Sequence, residues 1–163
     1  MSNHQPIIRE DVQGFLALAN SLPKPERLDP IEQRAGYLGL KQMTEADPRE
    51  MAVIKDLTCP GPAGPIPVRF YDVREKRDPS PVILFFHGGG FVIGDLDIYG
   101  PYCAEVARQL DMPVISIDYR LAPEHRFPAA AVDCEAATRW IAGSPAELGL
   151  KVTGLITSGD SAG

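Results

Sequence analysis

The stretch Val152-Thr153-Gly154-Leu155-Ile156-Thr157-Ser158 runs directly into Gly159-Asp160-Ser161-Ala162-Gly163. The apolar run from Val152 to Thr157 reads as a short strand buried on both faces of a parallel sheet. Gly-X-Ser-X-Gly after such a strand is the setting of a serine on a tight strand-to-helix turn. The requirement is steric, because only residues with little or no side chain two positions either side of the serine let neighbouring backbone approach. Background frequencies alone produce the bare pattern in about one chain in twenty of this length. By itself it also fits a small-residue turn that ends a strand, so its context has to carry the reading.

Working back toward the N-terminus, Val82 to Phe86 and Val114 to Ile117 are two more apolar runs of the same kind. Helical spacing separates the strands. Cys103, Val106, Ala107 and Leu110 recur at helical intervals after the first, and Pro128 opens a helix with Val132, Ala136, Trp140 and Ile141 on one side after the second. Upstream, an extended stretch from Met51 to Thr58, a turn over Pro60-Gly61-Pro62-Ala63-Gly64-Pro65 and the alternating Ile66, Val68 and Phe70 predict an antiparallel hairpin. Strand, helix, strand, helix, strand after a hairpin means an α/β fold with a mostly parallel sheet.

Two helices are expected before the first strand. Val12, Phe15, Leu16 and Ala19 form one apolar stripe within Asp11 to Asn20, which Pro23 and Pro25 terminate. A second helix starts at Asp29, whose carboxylate can cap it, with Pro30 at the first helical position, Glu32 where a capping box wants an acid, and Ile31, Ala35 and Leu38 as its apolar face. The division expected is an N-terminal helical arm over residues 1–45 and a sheet-bearing domain over residues 46–163.

His87-Gly88-Gly89-Gly90-Phe91 follows the strand Val82 to Phe86. Its glycines can turn backbone N–H groups outward without side-chain obstruction. Acyl transfer builds negative charge on a carbonyl oxygen, and fixed amide donors stabilise it at no reorganisation cost, each contributing about 3 kcal/mol. A glycine-rich phosphate cradle is the competing use, but neither Gly-X-Gly-X-X-Gly nor a terminal Lys-Ser/Thr is present.

With HGGGF at 87–91, GDSAG at 159–163 and Asp118-Tyr119-Arg120-Leu121-Ala122-Pro123-Glu124 between them, the sequence resembles the hormone-sensitive-lipase family of α/β-hydrolases. The resemblance covers residues 51 to 163, and the two N-terminal helices match the family's cap by position and amphipathicity. It implies that Ser161 is the nucleophile and that the N–H groups of Gly89, Gly90 and Ala162 form the oxyanion hole. It further implies hydrolysis of short to medium acyl esters through an acyl-enzyme and a Ser-His-Asp triad, with a small-molecule ester as partner and no cofactor or metal. His87 and Gly88 would shape the oxyanion loop, Asp160 would support the turn, and Phe15, Leu16 and Phe91 would border an apolar substrate pocket.

The triad order on this fold is Ser, then Asp or Glu, then His, which makes His87, 74 residues upstream of Ser161, a structural histidine rather than the base. His125 reads as a loop residue. Asp118, Arg120 and Glu124 read as a charged group at the carboxyl ends of the strands, with a buried structural ion pair preferred over a catalytic role. Cys103 and Cys134 read as helix packing.

Only Ala162 and Gly163 follow Ser161. The triad Asp and His are therefore expected outside these 163 residues, in the remainder of a longer polypeptide, and the segment alone is expected to be inactive. A non-catalytic ligand-binding protein on the same fold, an acyltransferase and a peptidase stay open as alternatives, and so does a homodimer.

Composition narrows the rest. A net charge of −6 argues against nucleic acid as the main partner. The longest apolar run is far below the roughly 20 residues that cross a bilayer. The three cysteines match neither a disulfide framework nor a metal site, and the N-terminus carries no signal-peptide pattern, so a cytoplasmic location is expected.

Overall fold

A computed structural model describes residues 8–21, 29–44 and 51–163. Two helices, α1 (Glu10–Ser21) and α2 (Pro30–Thr44), precede a hairpin of β1 (Val53–Gly61) and β2 (Gly64–Asp72). There follow β3 (Ser80–Phe86), α3 (Gly100–Leu110), β4 (Val114–Ile117), α4 (Ala129–Ala142), a 3-10 turn at Ala146–Leu148 and β5 (Val152–Gly159).

The hairpin strands are longer than expected and close through Pro62 and Ala63, with Gly61 opposite Gly64. The reason is positional. Pro60 lies on β1, the edge strand, and Pro65 and Pro67 of β2 lie outside the segment Val68 to Tyr71 that pairs with β4, so the missing N–H groups interrupt no ladder there.

The sheet order is β1-β2-β4-β3-β5. The first two pairings are antiparallel, whereas β3 runs parallel to both β4 and β5. Alternate side chains of the central strands feed two cores. Val82 and Leu84 of β3 join Val68, Ile115 and Ile117 beneath Ala137 and Ile141 of α4, while Ile83 and Phe85 meet Cys103, Ala104 and Ala107 of α3. This two-faced burial is what the uninterrupted apolar runs of β3 and β4 required.

Two expectations need correction. β5 is not buried on both faces: Ile156 is 46% exposed, because β5 pairs only with β3 and forms a sheet edge among the described residues. On α4 the buried positions are Ala130, Asp133, Ala137 and Ile141, with Val132 exposed and Ala136 and Trp140 only partly covered. Asp133 escapes an apolar periodicity count, yet it faces inward because Arg120 satisfies it, with Nε to Oδ2 at 2.7 Å and a second nitrogen to Oδ1 at 2.8 Å.

The N-terminal helices form where expected. Asp29 caps α2, its Oδ1 accepting from the Ile31 amide at 2.8 Å. No residue of α1 is buried. On α2 the expected apolar face is the one left open, with Ile31 and Leu38 exposed.

Candidate active site

β4 and β5 flank β3 on opposite sides, so the sheet order reverses at β3, the arrangement that places sites beyond the carboxyl ends of such strands. Phe86 and Gly159 are in register there. The HGGGF and GDSAG segments, 72 residues apart from His87 to Gly159, are thus the continuations of neighbouring strands.

Ser161 sits at φ 50°, a left-handed conformation in a non-glycine residue, held at a cost of about 1–3 kcal/mol by its surroundings. The turn closes through the Gly163 amide donating to the Asp160 carbonyl at 2.8 Å. A Cβ on Gly159 would lie 2.5 Å from the Gly163 carbonyl carbon, and one on Gly163 would lie 1.9 Å from the Phe86 carbonyl oxygen. Both flanking glycines are therefore sterically required, as the motif's logic demands.

The loop after β3 is equally constrained. Gly89, Gly90 and Phe91 adopt φ of 115°, 62° and 62° in succession. The Gly89 carbonyl accepts from the amides of Val92 and Ile93, both at 3.0 Å. Among the described residues, the N–H groups of Gly89, Gly90 and Ala162 donate to no acceptor. Gly88 lies flat against Asp160, since a Cβ there would come 2.6 Å from Oδ2. Asp160 in turn accepts from the Tyr99 hydroxyl at 3.2 Å, and the nearness of Tyr37 of α2 adds to the burial that pushes the Tyr99 phenol up.

His87 is completely buried and stacks on Tyr119, with ring centroids 4.2 Å apart and planes 11° from parallel. Its Nδ1 lies 2.8 Å from the Gly88 carbonyl oxygen; that oxygen only accepts, so Nδ1 carries the proton. Burial pushes the imidazole pKa down. The Tyr119 hydroxyl donates to the His87 carbonyl. His87 is thus a neutral strut under the loop, in keeping with a structural role. Gly94 completes the seat, because a Cβ there would lie 2.4 Å from Nδ1.

Asp118, Arg120 and Glu124 line one cleft, but they do not pair with one another, and the ion pairs they make reach partners outside the segment. Arg120 pairs with Asp133, and Glu124 pairs with Arg34 of α2, which holds its carboxyl down at about 2. Asp118 remains apart, pushed up to about 6 by burial and by the nearby Asp95 and Asp97, against the pull of Arg69. Together with Arg34, Gly94, Tyr119 and His125 it lines an open cleft of about 520 Å³.

Phe91 is 47% exposed at the loop apex. Phe15 and Leu16 stay half-exposed on α1 and do not line that cleft. Cys103 and Cys134 are pushed up to about 12 by burial, which leaves them unreactive thiols. Among the described residues no helix is long and apolar enough to cross a membrane. Sequence reasoning missed Tyr99, Gly94, Tyr37 and Arg34, which carry no local motif; Tyr119 lay in a quoted segment without a role.

A mixed sheet with a strained serine turn beside a glycine loop defines an α/β-hydrolase, and residues 83–163 match a family model described as the alpha/beta hydrolase fold. The chain is 47% identical over 116 residues to the esterase LipI of Mycobacterium tuberculosis, covering 70% of this chain and 36% of LipI. A solved hyperthermophilic esterase from the archaeon Pyrobaculum calidifontis superposes with a TM-score of 0.84 at 32% identity, over 98% of this chain and 51% of that one. An ester hydrolase from the metagenome of Lake Arreo, solved with a bipyridine phosphonate derivative, gives 0.86 at 34% identity, over 96% and 52%. The chain belongs to the hormone-sensitive-lipase family of α/β-hydrolases, and it spans between about a third and a half of the length of these relatives.

Proposed function

We propose that this chain supplies the nucleophile and the oxyanion donors of a carboxylic ester hydrolase that acts on short to medium acyl esters. The observation that carries the reading is Ser161 at positive φ, locked between Gly159 and Gly163 against the Phe86 carbonyl. A strained serine on a tight turn suits a hydroxyl presented to a substrate. The esterase and ester-hydrolase names of the relatives support the same reaction class.

In this mechanism the Ser161 hydroxyl oxygen attacks the ester carbonyl carbon while a histidine base takes its proton. The developing oxyanion accepts from the N–H groups of Gly89, Gly90 and Ala162, which lack other acceptors among the described residues. Collapse breaks the bond to the alkoxy oxygen, the histidine returns the proton to the departing alcohol, and water hydrolyses the acyl-enzyme by the same steps. The Asp and His of the triad are assigned to sequence outside these 163 residues. Asp160, bonded by Tyr99, supports the turn, and α1 and α2 act as a cap whose exposed Phe15 and Leu16, with Phe91, border the acyl pocket.

The test is hydrolysis of p-nitrophenyl butyrate by the protein at its full encoded length. Ser161→Ala is expected to lower kcat by at least about 10³-fold. An unchanged rate refutes the assignment.

A further inference from the structure

Arg34 makes four hydrogen bonds that join three separate segments. From α2 its Nε donates to the Val92 carbonyl at 2.8 Å. Its terminal nitrogens donate to the Ala122 carbonyl at 3.0 Å and to both Glu124 carboxylate oxygens at 2.8 Å. A ring is completed without Arg34, because the Ala122 amide donates to the Phe91 carbonyl at 2.8 Å. The loop after β3 and the loop after β4 are thus tied to each other and to the helix.

We infer, on the basis of the esterase reading above, that Arg34 is a positioning residue for the oxyanion loop. The physical path is short. Gly89, Gly90 and Phe91 all hold positive φ, a sequence of conformations that persists only where surrounding structure over-determines it. The Gly89 carbonyl is pinned by the Val92 and Ile93 amides. Since a trans peptide is planar, fixing that carbonyl aims the Gly90 N–H in the opposite direction. Arg34 holds the other side of the pinning residue, through the Val92 carbonyl.

The choice of arginine follows from its donors. A guanidinium offers a planar fork that meets a carboxylate bidentately and has N–H groups left over for carbonyls; an ammonium is a single point that cannot bridge these acceptors. On the same side of α2, Tyr37, one turn beyond Arg34, lies near Tyr99, whose hydroxyl donates to Asp160. One face of α2 therefore touches both loops of the site, while Ile31 and Leu38 are exposed.

The experiment compares Arg34→Ala, Arg34→Lys and Glu124→Gln in the protein at its full encoded length, by kcat and KM on p-nitrophenyl butyrate and by amide hydrogen exchange over residues 88–94. Arg34→Ala is expected to lower kcat at least about tenfold, to change KM less than about threefold, and to speed exchange across the loop about tenfold. Arg34→Lys should recover only part. Glu124→Gln keeps both carbonyl bonds and should lose less than about a third as much as Arg34→Ala. Unchanged exchange and kcat in Arg34→Ala, or equal losses in Arg34→Ala and Glu124→Gln, would overturn the inference. Should Arg34→Ala not fold, Arg34→Lys decides it, with a kcat loss of at least about threefold expected and wild-type values refuting. Hydrolysis that does not depend on Ser161 would sink the esterase reading and the catalytic half of this inference together, whereas faster exchange in Arg34→Ala would still support the tether.

Discussion

The sheet and the N-terminal helices obey the same rule of apolar patterning and reach opposite results. Along β3, Val82 and Leu84 are wholly buried and Ile83 and Phe85 nearly so, each pair under a different helix. Along α1 an equally regular stripe, Val12, Phe15 and Leu16, remains about 40% exposed. On α2 the pattern inverts, and the docked side is the polar one carrying Arg34 and Tyr37. Periodicity thus specifies that a helix forms and which side is apolar; it does not specify which side meets the body.

The sharpest way to break this contrast is a matched pair of truncations. Leu84→Ala removes atoms from the closed core and is expected to lower the unfolding free energy by about 3 kcal/mol, measured by urea denaturation. A loss under about 1 kcal/mol would show that β3 is no better packed than the arm. A middle case lies at the rim of the sheet, where Asp118 titrates at about 6. Its folded pKa is raised, so protonation favours the fold: this contribution is complete below pH 4 and vanishes as pH rises through about 6. Asp118→Asn should accordingly add about 2 kcal/mol at pH 8 and nothing at pH 4, read from Tm or denaturant midpoints at the two pH values. The opposite trend would mean that Asp118 is paired rather than merely buried. The smallest effect belongs to Leu16→Ala, expected to stay within about 0.5 kcal/mol because the side chain is 42% exposed. A loss above about 2 kcal/mol would erase the distinction between arm and sheet.

The site was legible where a local steric demand dictates residue type. Gly159 and Gly163 are readable because a Cβ at either collides with backbone, and the same holds for Gly89, whose Cβ would lie 2.2 Å from the Ile93 carbonyl oxygen. His87 was set aside as a base by its place in the chain; it lies fully buried, with Nδ1 on the Gly88 carbonyl. The charged residues after β4 do share one cleft and do make structural ion pairs, but their partners, Asp133 and Arg34, lie 13 and 90 residues away and were not readable.

From the sequence alone came the alternation of strands and helices, the hairpin, and the two glycine-bearing loops with their serine, since each follows from the reach and bulk of residues within a few positions of one another. Tertiary structure alone decided that β5 returns to the far side of β3, setting the two loops side by side, and that Arg34 of α2 clasps them both. Such pairings join residues tens of positions apart, and which of them form depends on the summed burial and hydrogen bonding of the whole chain, a quantity that no local window contains.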